Sequence, residues 1–132
     1  MARAALARAL MAAGRGDAAM AEARRAQQLV GKTQNVIVKL ATAITVDRVQ
    51  GLSRSQNART AIADLERAHA QATAMGLVPL ALEASVAIAE VTARSDRPAA
   101  EARLAALEKE ARTRGLGGIA AEAAAARQTP RR

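Results

Sequence analysis

One helix–turn–helix pattern occurs twice in this chain, and the repetition restricts the fold more than any other feature. Gly76-Leu77-x-x-Leu80-x-x-Glu83-Ala84 recurs 39 positions later as Gly115-Leu116-x-x-Ile119-x-x-Glu122-Ala123. Upstream of each glycine the apolar positions also correspond: Leu65 to Leu104, Ala68 to Leu107 and Ala72 to Ala111. Spacings of three and four place each set on one face of a helix. A unit of this size cannot bury its own apolar stripe, so copies must stack on one another.

Glycine, proline and cap residues divide the rest of the chain in the same manner. Gly14-Arg15-Gly16-Asp17 forms a loop ending in an N-cap candidate, Asp17, and Gly31-Lys32-Thr33 and Gly51-Leu52-Ser53-Arg54-Ser55 read as further breaks. Gly76 followed by Pro79 is the order expected between two helices, a glycine past one end and a proline in the next first turn. Ser95-Asp96-Arg97-Pro98 repeats the start signal, and Gly115-Leu116-Gly117-Gly118 is the last break. About seven helices result, and connections this short make neighbours antiparallel. Val36-Ile37-Val38 is β-branched, but it continues into Leu40-Ala41-Thr42-Ala43-Ile44 without alternation, which predicts helix. Glu108 and Arg112, four apart, are expected as an exposed ion pair.

Composition narrows the function classes. The 132 residues include 38 alanines and no Phe, Tyr, Trp or Cys. Disulfides and thiolate chemistry are therefore excluded, as are aromatic platforms for bases or quaternary amines. The net charge is +8 and is uneven: residues 1–60 hold ten basic and three acidic side chains, and residues 61–132 hold ten and nine. Such a first half attracts acidic peptides, nucleic-acid backbones or anionic surfaces. The longest stretch without Asp, Glu, Lys or Arg, Ala68–Leu82, is shorter than the roughly 20 apolar residues of a membrane span. The opening MARAALARALMAAGRGD has the look of a targeting peptide, but Arg8 and Arg15 interrupt it, so a cytoplasmic protein is expected.

The small residues of the hairpins, Ala7, Gly14, Ala19, Ala23 and Ala26, together with GLVPLALEASVAIAE, AEARLAALEKEA and RGLGGIAAEA, resemble the tetratricopeptide-like (TPR-like) helical repeats. The stretch from Gly76 through Ala126 is similar to the C-terminal repeats of bacterial signalling proteins that carry kinase, cyclase or winged-helix output domains. The resemblance implies an all-α fold, a right-handed superhelix of antiparallel hairpins. It would form a single domain over residues 1–128, with a disordered basic tail at Thr129-Pro130-Arg131-Arg132. It also implies a fragment of a larger regulatory protein. The aromatic residues usual at the family's knob positions are absent here, so helix axes are expected toward the short end of the roughly 8–10 Å range.

Apparent catalytic motifs dissolve on inspection. Gly31-Lys32-Thr33 lacks the preceding glycine, Ala26 standing in its place, and follows a helical stretch where a phosphate-binding loop follows a strand. Gly115-x-Gly117-Gly118 also follows a helix, which a helix–helix turn explains. His69 is the single histidine, too few for a metal site or a triad, and is expected at the surface or an edge. Glu83 and Glu90 stand two turns apart on one helix and could face a groove, but nothing marks them for acid–base work. A non-enzymatic protein with no cofactor and no metal is expected.

Binding is the remaining class. Arg3, Arg8, Arg15, Arg24, Arg25, Lys32 and Lys39 would supply salt-sensitive contacts to nucleic acid, but they fall on several helices and no recognition-helix pattern accompanies them. The resemblance favours protein partners. In that family the first helix of each pair lines the concave surface. On this arrangement Ile37, Leu40, Ala41 and Ile44 turn into the core, and Asn35, Lys39, Thr42 and Val46 face the groove. Asn35 and Lys39 resemble the pair with which family members hold a terminal carboxylate, and Arg8 and Glu83 would flank it. The expected partner is a protein or an acidic peptide, and self-association into a dimer is the other reading of an exposed end helix.

Overall fold

In a computed structural model, residues 16–30, 35–53 and 58–128 are described, with backbone alone for 26–30. They form six α-helices and no strand: α1 (Gly16–Val30), α2 (Val36–Leu52), α3 (Ala58–Ala74), α4 (Val78–Thr92), α5 (Arg97–Thr113) and α6 (Gly117–Gln128). The segment before Gly14 that is expected to be a helix, the 129–132 tail, and Gly31-Lys32-Thr33 lie outside the described residues.

Local chemistry explains where most helices begin and end. Asn35 caps α2, its side chain accepting the Val38 N–H at 3.1 Å, and Asp96 caps α5 by accepting the Ala99 N–H at 3.1 Å. Pro79 and Pro98 stand in first turns, where no intrahelical donor is lost. Gly76 and Gly115 adopt φ values of 72° and 76°, the left-handed region that a side chain disfavours. Each turn closes with the same two bonds. The Gly76 N–H donates to Thr73 O and the Leu77 N–H to Ala72 O, and the Gly115 N–H donates to Arg112 O and the Leu116 N–H to Ala111 O. The 39-residue repeat is thus a repeat of backbone geometry as well as of residue type.

The helices form two rows. α2 touches α4, and α4 touches α6, while α1 lies on α2, α3 lies against α2 and α4, and α5 lies against α4 and α6. Cross-helix contacts fix direction: Gly51 meets both Ala61 and Val91, and Arg127 meets Glu101. Hence α2, α4 and α6 run one way and α1, α3 and α5 the other. The Gly76 and Gly115 turns lie at one end, with the start of α2; that end is called the turn end below.

α4 is the axis of the array. Ala84, Ala87, Ile88 and Val91 pack with Leu40 and Ile44 of α2 and with Leu65, Ala68 and Ala72 of α3. Its opposite side, Leu82, Val86 and Ala89, packs with Leu104, Leu107 and Ala111 of α5 and with Ile119, Ala120 and Ala123 of α6. A helix apolar nearly all round is stable only when covered on two sides, and stacking of hairpins provides that. The stripes read from the sequence, Leu65-Ala68-Ala72 and Leu104-Leu107-Ala111, are buried as expected.

Gly51 departs from its expected role. The helix continues through it to Leu52, and Ser53 is the C-cap. A Cβ at Gly51 would lie 2.6 Å from Val91 Cγ2 and 3.1 Å from Ala61 Cβ. The glycine is a point of close approach among three helices and does not interrupt one.

Candidate functional site

The residues expected to bind a partner fall into different environments. Arg8 lies outside the described residues. Asn35 and Lys39 are exposed on the first two turns of α2, where Asn35 also serves as the cap. Thr42 is 1% exposed and Val46 2%, so neither faces a groove. The reason is α1, whose Ala19 and Ala23 pack with Val46 and Val49 and cover that side of α2. With α1, α3 and α4 all against it, α2 has little lateral surface left. Ile37, expected in the core, is exposed because it sits in the first turn, beyond the reach of neighbouring helices. Ala41 is half-buried, and Leu40 and Ile44 are buried as expected. Glu83 is half-buried on the second turn of α4, and no described hydrogen bond joins it to Asn35 or Lys39.

Several polar side chains are committed to holding helices together. Arg48 on α2 clasps Glu90 on α4 with two bonds from one guanidinium edge, Nη2 to Oε1 and Nε to Oε2. Both side chains are largely buried. Glu90 therefore does not face a groove with Glu83 as a free carboxylate. Next to this pair, Arg94 Nη1 donates to Ser53 O at 2.9 Å and to Gly51 O at 3.3 Å, satisfying carbonyls at the end of α2. On α5 and α6, Arg127 bonds Glu101 at 3.1 Å and Glu108 at 3.2 Å. Glu108 also takes Arg112 at 2.8 Å, so the pair expected as exposed belongs to a network in which the glutamate is mostly buried. Sequence spacing could not disclose contacts across 42 residues such as Arg48–Glu90.

Asp47, which carries no motif, has a displaced titration. Partial burial on α2 pushes its carboxyl up to about 6, and the positive Arg67 on α3 opposes that rise. Arg67 itself pairs with Asp64, one turn earlier on α3. His69 is half-buried at the edge of α3, and its backbone carbonyl accepts the Thr73 hydroxyl at 2.8 Å. Gly115 through Gly118 form the α5–α6 turn and the first residues of α6. Among the described residues no group of three or more His, Asp or Glu is placed to hold a metal, and no helix is long and apolar enough to cross a membrane.

What sequence reading missed is the turn end. Val36, Ile37, Met75 and Val78 are the large apolar side chains that stand exposed among the described residues. Each is a helix-terminal residue, a position where periodicity does not tell core from surface. No protein-family model, curated protein or solved structure matches the chain.

Proposed function

We propose that the chain is a non-enzymatic protein-interaction scaffold, a TPR-like array of helical hairpins within a larger, cytoplasmic bacterial signalling or regulatory protein. The observation that carries this reading is the repetition itself. Two copies of one helix–turn–helix unit close with the same pair of backbone bonds, and α4 of the first packs against both helices of the second. Arrays of this construction spend their sequence on packing and present extended surface, which suits them to hold other chains. The polar side chains with directed bonds, Arg48, Glu90, Arg94 and Arg127, join helices to one another. Exposed cations with no described ion pair, Arg24, Lys39, Arg59, Arg103 and Lys109 among them, remain to steer an acidic partner.

Fluorescence anisotropy with labelled acidic peptides and with random-sequence duplex DNA tests the reading. The expected result is peptide binding that weakens as salt rises and weakens again in Lys39→Glu, with no DNA binding at matched concentrations. Tighter binding to DNA than to any acidic peptide would overturn it. So would turnover of nucleotides or esters that Lys32→Ala abolishes.

A further inference from the structure

At the end of the array opposite the turn end, α2, α4 and α6 all finish, and each leaves last-turn carbonyls without an intrahelical donor. One short stretch of chain, the connection from α4 into α5, answers carbonyls on all three. On α4 it uses its own backbone: the Arg94 N–H donates to Val91 O at 3.2 Å, and the Ser95 and Asp96 N–H groups donate to Thr92 O at 2.9 Å and 2.8 Å. On α2 it uses Arg94, whose Nη1 donates to Ser53 O at 2.9 Å and to Gly51 O at 3.3 Å. On α6 it uses Arg97, whose Nη2 donates to Arg127 O at 2.9 Å. A guanidinium at the negative end of a helix is held by the dipole as well as by its hydrogen bonds.

The base from which both arginines reach is stiff. Residues 93–96 contain no glycine, and the Ser95 hydroxyl donates to Thr92 O at 3.2 Å. Asp96 caps α5 by accepting the Ala99 N–H, and Pro98 fixes the backbone of the first turn. The two helices that the arginines reach do not touch each other, so their relation is set by what lies between them. Beside the arms, Arg48–Glu90 pins α2 to α4 and Arg127–Glu101 pins α6 to α5.

We propose that residues 94–97 form a two-armed clamp that fixes the spread of α2, α4 and α6, and with it the angle between successive hairpins. In a stacked array that small angle sets the curvature of the surface offered to other molecules. The cores on either side of α4 do not include the arginines, so loss of an arm is expected to widen the range of angles without unfolding a helix. The clamp belongs to the array itself and does not depend on which partner the array holds.

Pulsed dipolar electron paramagnetic resonance on the full chain tests it, and the absence of cysteine lets two introduced thiols be spin-labelled alone. Ala43→Cys on α2 and Ala121→Cys on α6 replace exposed residues two helix spacings apart, roughly 20 Å. A single narrow distance distribution is expected for this pair. Arg94→Ala and Arg97→Ala are each expected to broaden it by about 1–2 Å, the scale of helix shifts at interfaces, and the double variant more. Arg103→Ala, which removes an exposed arginine of α5 with no described ion pair, is expected to leave it unchanged. Arg94→Met and Arg97→Met, which keep the stem, carry the same expectation should an alanine variant lose its helical circular dichroism. A distribution that is broad in the parent, or unchanged in both single variants and the double, overturns the clamp. Broadening by one arm alone overturns its two-armed form. Equal broadening by Arg103→Ala assigns the effect to net charge and overturns the role of the directed bonds.

Discussion

Gly51→Ala sets two well-known effects against each other, and the structure decides between them. Replacing glycine by alanine inside a helix is worth up to about 1 kcal/mol in favour of folding, and less near a helix end. At Gly51, however, the new methyl would stand 2.6 Å and 3.1 Å from the two γ-carbons of Val91 and 3.1 Å from the Ala61 Cβ. Val91 is itself buried and β-branched, so its methyl groups cannot swing aside without losing a preferred rotamer. Overpacking of this kind costs about 1–3 kcal/mol, which exceeds the helix gain. A net loss of about 1–2 kcal/mol is expected in urea unfolding followed by circular dichroism, with little change in the slope. Gly118→Ala is the control, since a Cβ there meets nothing within 4 Å, and it is expected to be neutral or to stabilise by a few tenths of a kcal/mol. Val91→Ala should make Gly51→Ala far less harmful, so the two changes should be coupled by about 1 kcal/mol. If Gly51→Ala matches or exceeds the parent stability, α2 does not meet α4 at this point and the packing argument fails.

Two further perturbations probe the acid and the turns. Asp47 binds its proton more tightly in the folded chain than its ordinary value of 3.8 allows, so its favourable contribution is complete below about pH 3.8 and is lost as pH rises through about 6. With half of the group near solvent, the cost of its charge at pH 7.5 is discounted to about 1–2 kcal/mol. Asp47→Asn should therefore be more stable than the parent by that amount at pH 7.5 and equal to it near pH 4; a difference that does not change with pH would contradict this. At the turns, Gly76→Ala and Gly115→Ala should each cost about 1 kcal/mol, because both glycines hold positive φ with open space around them. A clear cost at one and none at the other would show that the two turns are not the same structure.

The legible parts of this fold are those decided within one or two turns of chain. Left-handed Gly76 and Gly115, the Asp96 cap with Pro98, and the Leu65 and Leu104 stripes follow from backbone sterics and helical period alone. Gly51 was not legible, because local reading of Gly-Leu-Ser-Arg-Ser gives a break and the need for close approach to Val91 arises only from packing. Thr42 and Val46 were misplaced for a related reason. Period tells which residues share a face, but the number of neighbours decides which faces are covered, and α1 closes the third side of α2. Ile37 shows the reverse, an apolar residue in register with the core stripe that runs out of neighbours at the helix end. Of the expected binding residues, Asn35 and Lys39 keep the exposure that contact with a partner requires. The apolar group beside them could be recognised only after α2 and α4 were known to be parallel.

α4, packed on α2 and α3 on one side and on α5 and α6 on the other, joins the helices into a single array. Residue-resolved hydrogen exchange measures this most directly, since amides buried on both sides open only with the whole structure. The slowest exchange is expected along α4, from Leu82 to Val91, at a free energy matching global unfolding, with α1 and α6 faster. If α4 exchanges no more slowly than α6, or if α2–α3 and α5–α6 open as independent units with α4 following only one of them, the array is not continuous and the account is wrong.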